Sequence, residues 1–336
     1  MVSEDAGRVA ATYAEFGRTW AAGTSQLYAD WSLGIAGDPE LLARIAGLPR
    51  RLRQPNLLYA AARWQGAPLE PFASMRPWLL EHWDDVVATA SVRSTQTNEP
   101  ARCATLLPVL SAIEGPVALL ETGTAAGLCL LPDRYSYTYD APSGEHRLGD
   151  SPAHLRSRLD DDSSLPRRLP EVVWRRGIDL APLDAGDPDT IAWLANLVWP
   201  GRDHDARVAG LRAAAAIAAA DPPEIVEGDI LETVADAAAD APHDATLVVF
   251  HSAVLMYLSP ADRLRFAGVM HGLSAALGRR VVWISNETVG VLEGVDALLP
   301  AGLDAGGRFV QSVDGVPVAL AGQHGAVYEV RALRPS

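Results

Sequence analysis

The chain has no lysine: all 28 of its basic residues are arginine. A lysine Schiff base to a carbonyl cofactor is therefore excluded, and so is a Walker A phosphate loop, whose lysine reaches the phosphates. Cysteine is almost as scarce, with two residues, Cys103 and Cys129, both in apolar surroundings that suit buried thiols. Neither falls in a zinc-binding spacing, so no metal centre is expected. No run approaches the ~20 apolar residues that cross a bilayer. The first residues, MVSEDAGRVA, lack the apolar region of a secretion signal. Positive charge is also in deficit. The net charge of −14 opposes a phosphate backbone, which argues against nucleic-acid binding. These absences lead us to expect a cytoplasmic protein with a small-molecule substrate and no membrane or nucleic-acid partner.

What is present falls into two halves. Residues 1–113 read as helical, with periodic segments at Val9–Trp20, Pro39–Ala46 behind an Asp38 cap, Leu57–Trp64, Pro77–Ala90 and Ala101–Ile113. Asn98 is a candidate cap for the last, with Glu99 in its first turn. This half is expected to be a helical lid or substrate lobe. From 114 to 336 strands and helices alternate, which predicts an α/β domain with a doubly wound, mostly parallel Rossmann-like sheet. The expected parallel strands are Val117–Glu121, Glu171–Ile178, Glu224–Glu227, Thr246–Phe250 and Arg280–Ser285. A short helix is expected over Ala125–Leu131, ended by Pro132. Tyr135–Asp140 and His154–Leu159 are expected to pair as a hairpin inside an insert at about 132–170. Three terminal strands, joined by turns at Asp314–Gly315 and His324–Gly325, make an antiparallel end.

Ligands of such sheets bind beyond the carboxyl ends of the strands. There the sequence places Glu121 with Gly123 and Gly127, then Asp179, Asp229, His251 and Asn286. Each has a bland reading. The glycines either admit a ligand or allow close packing. Asp179 and Asp229 either hold a ligand or close turns and cap helices. His251 is either a general base or a satisfied strand-end histidine, and Tyr257 shares that ambiguity. Ser252 does not suit a nucleophile elbow, because Phe250 and Val254 stand where small residues are needed. A nicotinamide fingerprint is spoiled by alanine at 125.

The Glu-x-Gly-x-x-x-Gly stretch at 121–127, GIDLAPLD (Gly177–Asp184), EGDI (Glu227–Ile230) and the segment Phe250–Phe266 resemble, in order, the motifs of class I S-adenosylmethionine-dependent methyltransferases. That resemblance implies S-adenosylmethionine as cofactor. It would be held by Glu121, Gly123, Gly127, Asp179 on the ribose and Asp229 on the adenine. His251 or Tyr257 would then take a proton from the methyl acceptor. QPNLLYAAA (Gln54–Ala62), TQTNEPARCATLLP (Thr95–Pro108), LCLLPDRYSY (Leu128–Tyr137) and WRRGIDLAPLD (Trp174–Asp184) also resemble an actinobacterial family known as a domain of unknown function, DUF2332. This second resemblance implies a shared, substrate-side element containing Gln96, Asn98 and Glu99. The alternative to methyl transfer is a non-catalytic ligand-binding or regulatory module that keeps the fold.

Overall fold

The computed structural model describes residues 4–333. The chain divides into two compact units. The first runs up to Thr97 and includes Asp189–Ala209; the second comprises Asn98–Pro188 and everything from Gly210 onward.

The first unit carries α1 (Glu4–Glu15), α2 (Gln26–Ala36), α3 (Pro39–Ala46), α4 (Pro55–Trp64), α5 (Phe72–Glu81) and α6 (Trp83–Val92). Its caps are local chemistry. The Ser25 hydroxyl accepts from Tyr28 N, and the Asp38 carboxylate accepts from Glu40 N and Leu41 N ahead of Pro39. The helix expected over Pro77–Ala90 is two helices, broken at His82, whose backbone (φ −102°, ψ 19°) leaves the helical region. The unit is held by rings. Tyr28 and Tyr59 stand 4.9 Å apart, and Phe16 meets Trp199 of the returning segment at 5.2 Å. The Arg63 guanidinium donates to the carbonyls of Asn196 and Val198, which fastens that segment to α4.

The second unit begins with α7 (Cys103–Ala112), after a tight turn at Pro100–Arg102. A boundary was expected at 113/114, but α7 belongs with the sheet. Its residues Cys103–Leu107 are buried, and the Ala104 carbonyl accepts from the Tyr139 hydroxyl. A helix apolar on most sides covers a sheet rather than ending a lid. The expected Asn98 cap is also replaced: Glu99 accepts from Ala101 N to start the turn.

Eleven strands follow: β1 (Pro116–Thr122), β2 (Ser136–Ala141), β3 (Gly144–Leu148), β4 (His154–Leu159), β5 (Glu171–Asp179), β6 (Glu224–Glu227), β7 (Thr246–Ser252), β8 (Val281–Glu287), β9 (Phe309–Val313), β10 (Val316–Ala321) and β11 (Val327–Glu329). The helices among them are α8 (Pro188–Leu197), α9 (His204–Ala220), α10 (Ile230–Ala239), α11 (Pro260–Leu277) and α12 (Glu293–Asp296). All strands join one sheet in the order β3-β2-β4-β11-β10-β9-β8-β7-β1-β5-β6. Strands β6, β5, β1, β7 and β8 are mutually parallel, and β9 and β10 return antiparallel, as the α/β reading expected. A continuous core of Leu120, Val249, Trp283, Phe266 and Val234 fills the face under α10 and α11.

Two further local expectations fail. His154–Leu159 does not form a hairpin with β2; it lies parallel to it, and the hairpin partner is β3. Alternation shows that a segment is a half-buried strand but carries no direction. No α-helix forms over Ala125–Leu131; a loop and a short 3-10 turn, Leu128–Leu130, replace it. Ala125 (φ +50°) and Gly127 (φ +74°) are both left-handed there, which interrupts a right-handed helix. Helix α10, unforeseen in the sequence reading, starts behind the Asp229 cap.

Gly302 and Gly325 have the same backbone angle, φ +76°. A Cβ at Gly302 would meet nothing within 4 Å, whereas at Gly325 it would overlap the carbonyl oxygen of Ala101. Gly302→Ala is expected to cost about 1–2 kcal/mol, the left-handed penalty alone, and Gly325→Ala distinctly more. Urea denaturation of both variants measures the gap; equal losses would show that the 322–325 turn is not seated on Ala101.

Candidate functional site

Numbered as they occur, the parallel strands lie in the order 3-2-1-4-5, and the chain reverses its direction of growth between β1 and β7. In open α/β sheets such a reversal is where ligands bind, beyond the carboxyl ends of the two strands. Two non-glycine residues with positive φ flank it: Ala125 on the loop after β1, and Ala253 (φ +57°) directly after β7. Among the described residues a further one, Asp314, is in the hairpin turn before Gly315.

The fold brings Glu121, Gly123, Gly127 and Asp179 together around the β1 loop. Glu121 is only 4% exposed and accepts from the Thr124 hydroxyl at 2.6 Å. Burial, reinforced by the neighbouring Cys129 and Asp179, pushes its carboxyl well above the usual range, against the opposing effects of Thr124 and Arg102. Asp179 accepts from Ala125 N (2.7 Å) and Ala181 N (3.0 Å), so its carboxylate staples two loops. A Cβ on Gly123 would overlap the Val254 side chain, and one on Gly127 would overlap Pro223. These glycines admit protein side chains, which is the packing reading of the pair. Asp229 is exposed and accepts from Leu231 N at 2.8 Å as the cap of α10.

The expected catalytic pair is separated by environment. His251 is 0% exposed. Its Nδ1 lies 2.9 Å from Glu287 Oε1, and the Trp283 indole donates to its Nε2 at 3.1 Å. The indole has only a proton to give, so Nε2 is the acceptor and Nδ1 carries the hydrogen. With both nitrogens engaged, His251 fits the satisfied strand-end reading and has no nitrogen left for a substrate. Tyr257, by contrast, is 70% exposed.

On the substrate side, Asn98 Oδ1 accepts from Leu128 N at 2.9 Å, and the Glu99 carbonyl accepts from the Cys129 thiol. Both tie the turn before α7 to the loop after β1. Gln96 falls in the first unit, where its Oε1 accepts from Ser94. A family model for DUF2332, described as an uncharacterized protein conserved in bacteria, matches residues 10–329.

The chain belongs to the DUF2332 family. No curated protein matches it. In this DUF2332 protein the match spans segments of both units.

The sequence does not indicate the roles of Glu287, Gln311 and Tyr328, nor the partners of Asn286 and Ser252. Glu287 Oε1 accepts from Val254 N and Leu255 N, each at 2.9 Å, besides His251. Asn286 Nδ2 donates to the Ser252 hydroxyl, Gln311 Nε2 donates to Asn286 Oδ1, and the Tyr328 hydroxyl donates to Gln311 Oε1. The register sets Ser252 beside Asn286 and Asn286 beside Gln311, so a polar ladder crosses the sheet. The polar residues ending β7 and β8 were the only signal available, because their partners lie on neighbouring strands.

Glu121 binds its proton more tightly folded than unfolded. Its contribution to stability is therefore full below its ordinary value of 4.5 and is lost as pH rises through the folded value. Glu121→Gln carries no such dependence. The variant should gain on the wild type above about pH 4.5, by at most about 1.4 kcal/mol per pH unit. Urea midpoints across the neutral range test this, and parallel pH profiles for the two proteins would sink it.

Proposed function

We propose that this DUF2332 protein is a ligand-binding protein of Rossmann-like design that receives its ligand at the switch point between β1 and β7. The observation that carries the reading is the pair of left-handed alanines, Ala125 and Ala253, on the two loops that flank that point. Each costs about 1–2 kcal/mol. Backbone strain of this kind concentrates where a ligand is handled. Glu121, a nearly buried carboxyl at the end of the central strand whose proton affinity burial raises, adds a titratable group to the same place.

S-adenosylmethionine-dependent methyl transfer is the second reading, favoured by the 3-2-1-4-5 order and by the acids at the strand ends. It ranks lower because Asp179 and Asp229 accept from backbone N–H groups of their own loops, and Val254 stands against Gly123. An adenosyl ligand would have to displace these contacts.

Calorimetric titration with S-adenosylmethionine and S-adenosylhomocysteine, with NAD as control, separates the two readings. The first predicts no heat from either sulfur ligand. It also predicts that Asp179→Ala loses about 2 kcal/mol of stability by stranding two loop N–H groups. Tight binding that Asp179→Ala abolishes, followed by consumption of the cofactor, would replace the first reading with the second.

A further inference from the structure

Acids end the strands around the switch point, yet a cation also reaches it. Arg102, in the turn before α7, donates through Nε to the Gln323 carbonyl (2.9 Å) and through Nη1 to the Ser252 carbonyl (3.2 Å). Its guanidinium carbon also stands 5.5 Å from the centre of the Phe309 ring. Ser252 ends β7, so the second of these bonds holds the guanidinium at the carboxyl end of that strand. Its charge acts on Glu121 on one side and on the Tyr257 phenol on the other. Among the described residues Arg102 forms no ion pair, and no hydrogen bond runs from its Nη2. Arg263 makes an instructive contrast: Nε, Nη1 and Nη2 all donate to carbonyls, as expected of an arginine that only staples loops.

Two hydroxyls belong to the same region: that of Ser252, whose carbonyl Arg102 binds, and that of Tyr257, on whose phenol its charge acts. The Ser252 hydroxyl accepts from Asn286 Nδ2, which leaves its own hydrogen to give. The Tyr257 phenol is exposed. A half-buried guanidinium held rigid by two carbonyls and a ring is suited to end-on recognition of an oxyanion. Of the acids near it, Glu121 has its carboxyl pushed well above the usual range by burial, and three donors converge on Glu287 Oε1.

We propose that Arg102 anchors the oxyanion group, carboxylate or phosphate, of an acidic small-molecule ligand at the switch point, with the hydroxyls of Ser252 and Tyr257 as supporting donors. This rests on the ligand-binding reading above and names the class of ligand.

The test is thermal denaturation of the full chain in rising malonate or inorganic phosphate, at ionic strength matched with chloride. At least one anion should raise the midpoint of the wild type above chloride, and the stronger of the two identifies the group. Arg102→Gln should abolish the rise and Arg102→Lys retain part of it. Tyr257→Phe, at an exposed position that leaves the fold intact, should weaken the apparent affinity about tenfold, one charge-assisted hydrogen bond's worth. If Arg102→Gln fails to fold, Tyr257→Phe and Ser252→Ala decide. The proposal is overturned if neither anion outperforms chloride, or if these variants respond as the wild type does. Neither probe carries an adenosyl group, so the titration with S-adenosylmethionine tests the preferred function separately from the anchor. An anion effect indifferent to Arg102 and Tyr257 would remove the anchor alone.

Discussion

A carboxylate taken out of water must be given hydrogen-bond donors, and in this protein two strand-end acids take theirs from the loops around the switch point. Asp179, at the end of β5, draws in Ala125 N and Ala181 N. Glu287, at the end of β8, draws in Val254 N, Leu255 N and the His251 ring. Removing either acid would leave buried donors without partners, each a loss of about 1–3 kcal/mol. The loops after β1 and β7 are thus shaped from the strands on their outer sides. Ala125 and Ala253 adopt left-handed backbone within loops fixed in this way.

The same constraint explains why residue type alone misleads at this site. Acids at successive strand ends match a nucleoside-binding pattern, but an acid that satisfies its own loop looks identical in sequence to one that waits for a ribose. His251 follows the same logic. A histidine after a buried strand suits a general base, until an indole donor on Nε2 and a carboxylate at Nδ1 occupy both nitrogens. Arg102 reverses the case. It sits in an unremarkable turn, and only its neighbours from β7, β9 and the 322–325 turn make it the cation of the crevice.

The sheet is extended well beyond its parallel block. After β10, the short strand β11 lies parallel to β4, which brings the β2–β3–β4 insert into the same sheet. The outermost strand, β3, carries Glu145 and Arg147, which bond to each other, with Arg156 of β4 bridging Glu145 to Asp140. Charged side chains on an exposed edge discourage pairing with another chain.

By itself the sequence determined whatever depends on neighbours a few residues away. The apolar runs of β1, β5, β7 and β8, the Asp38 and Ser259 caps and the Asp314–Gly315 turn all depend on spacing and backbone preference within one short segment. The parallel sheet with antiparallel strands near its end followed from their alternation along the chain. Tertiary structure decided the rest, because the deciding partner is distant in sequence. β4 runs parallel to β2 because β3 takes the hairpin position. Residues 189–209 join the first unit because Arg63 and the rings around Trp199 hold them there. Asp179 is a staple and His251 a buried, saturated ring because groups from other elements reach them first. Hydrogen-bond donors and acceptors are satisfied by whatever the fold brings near, and no local pattern encodes which group that will be.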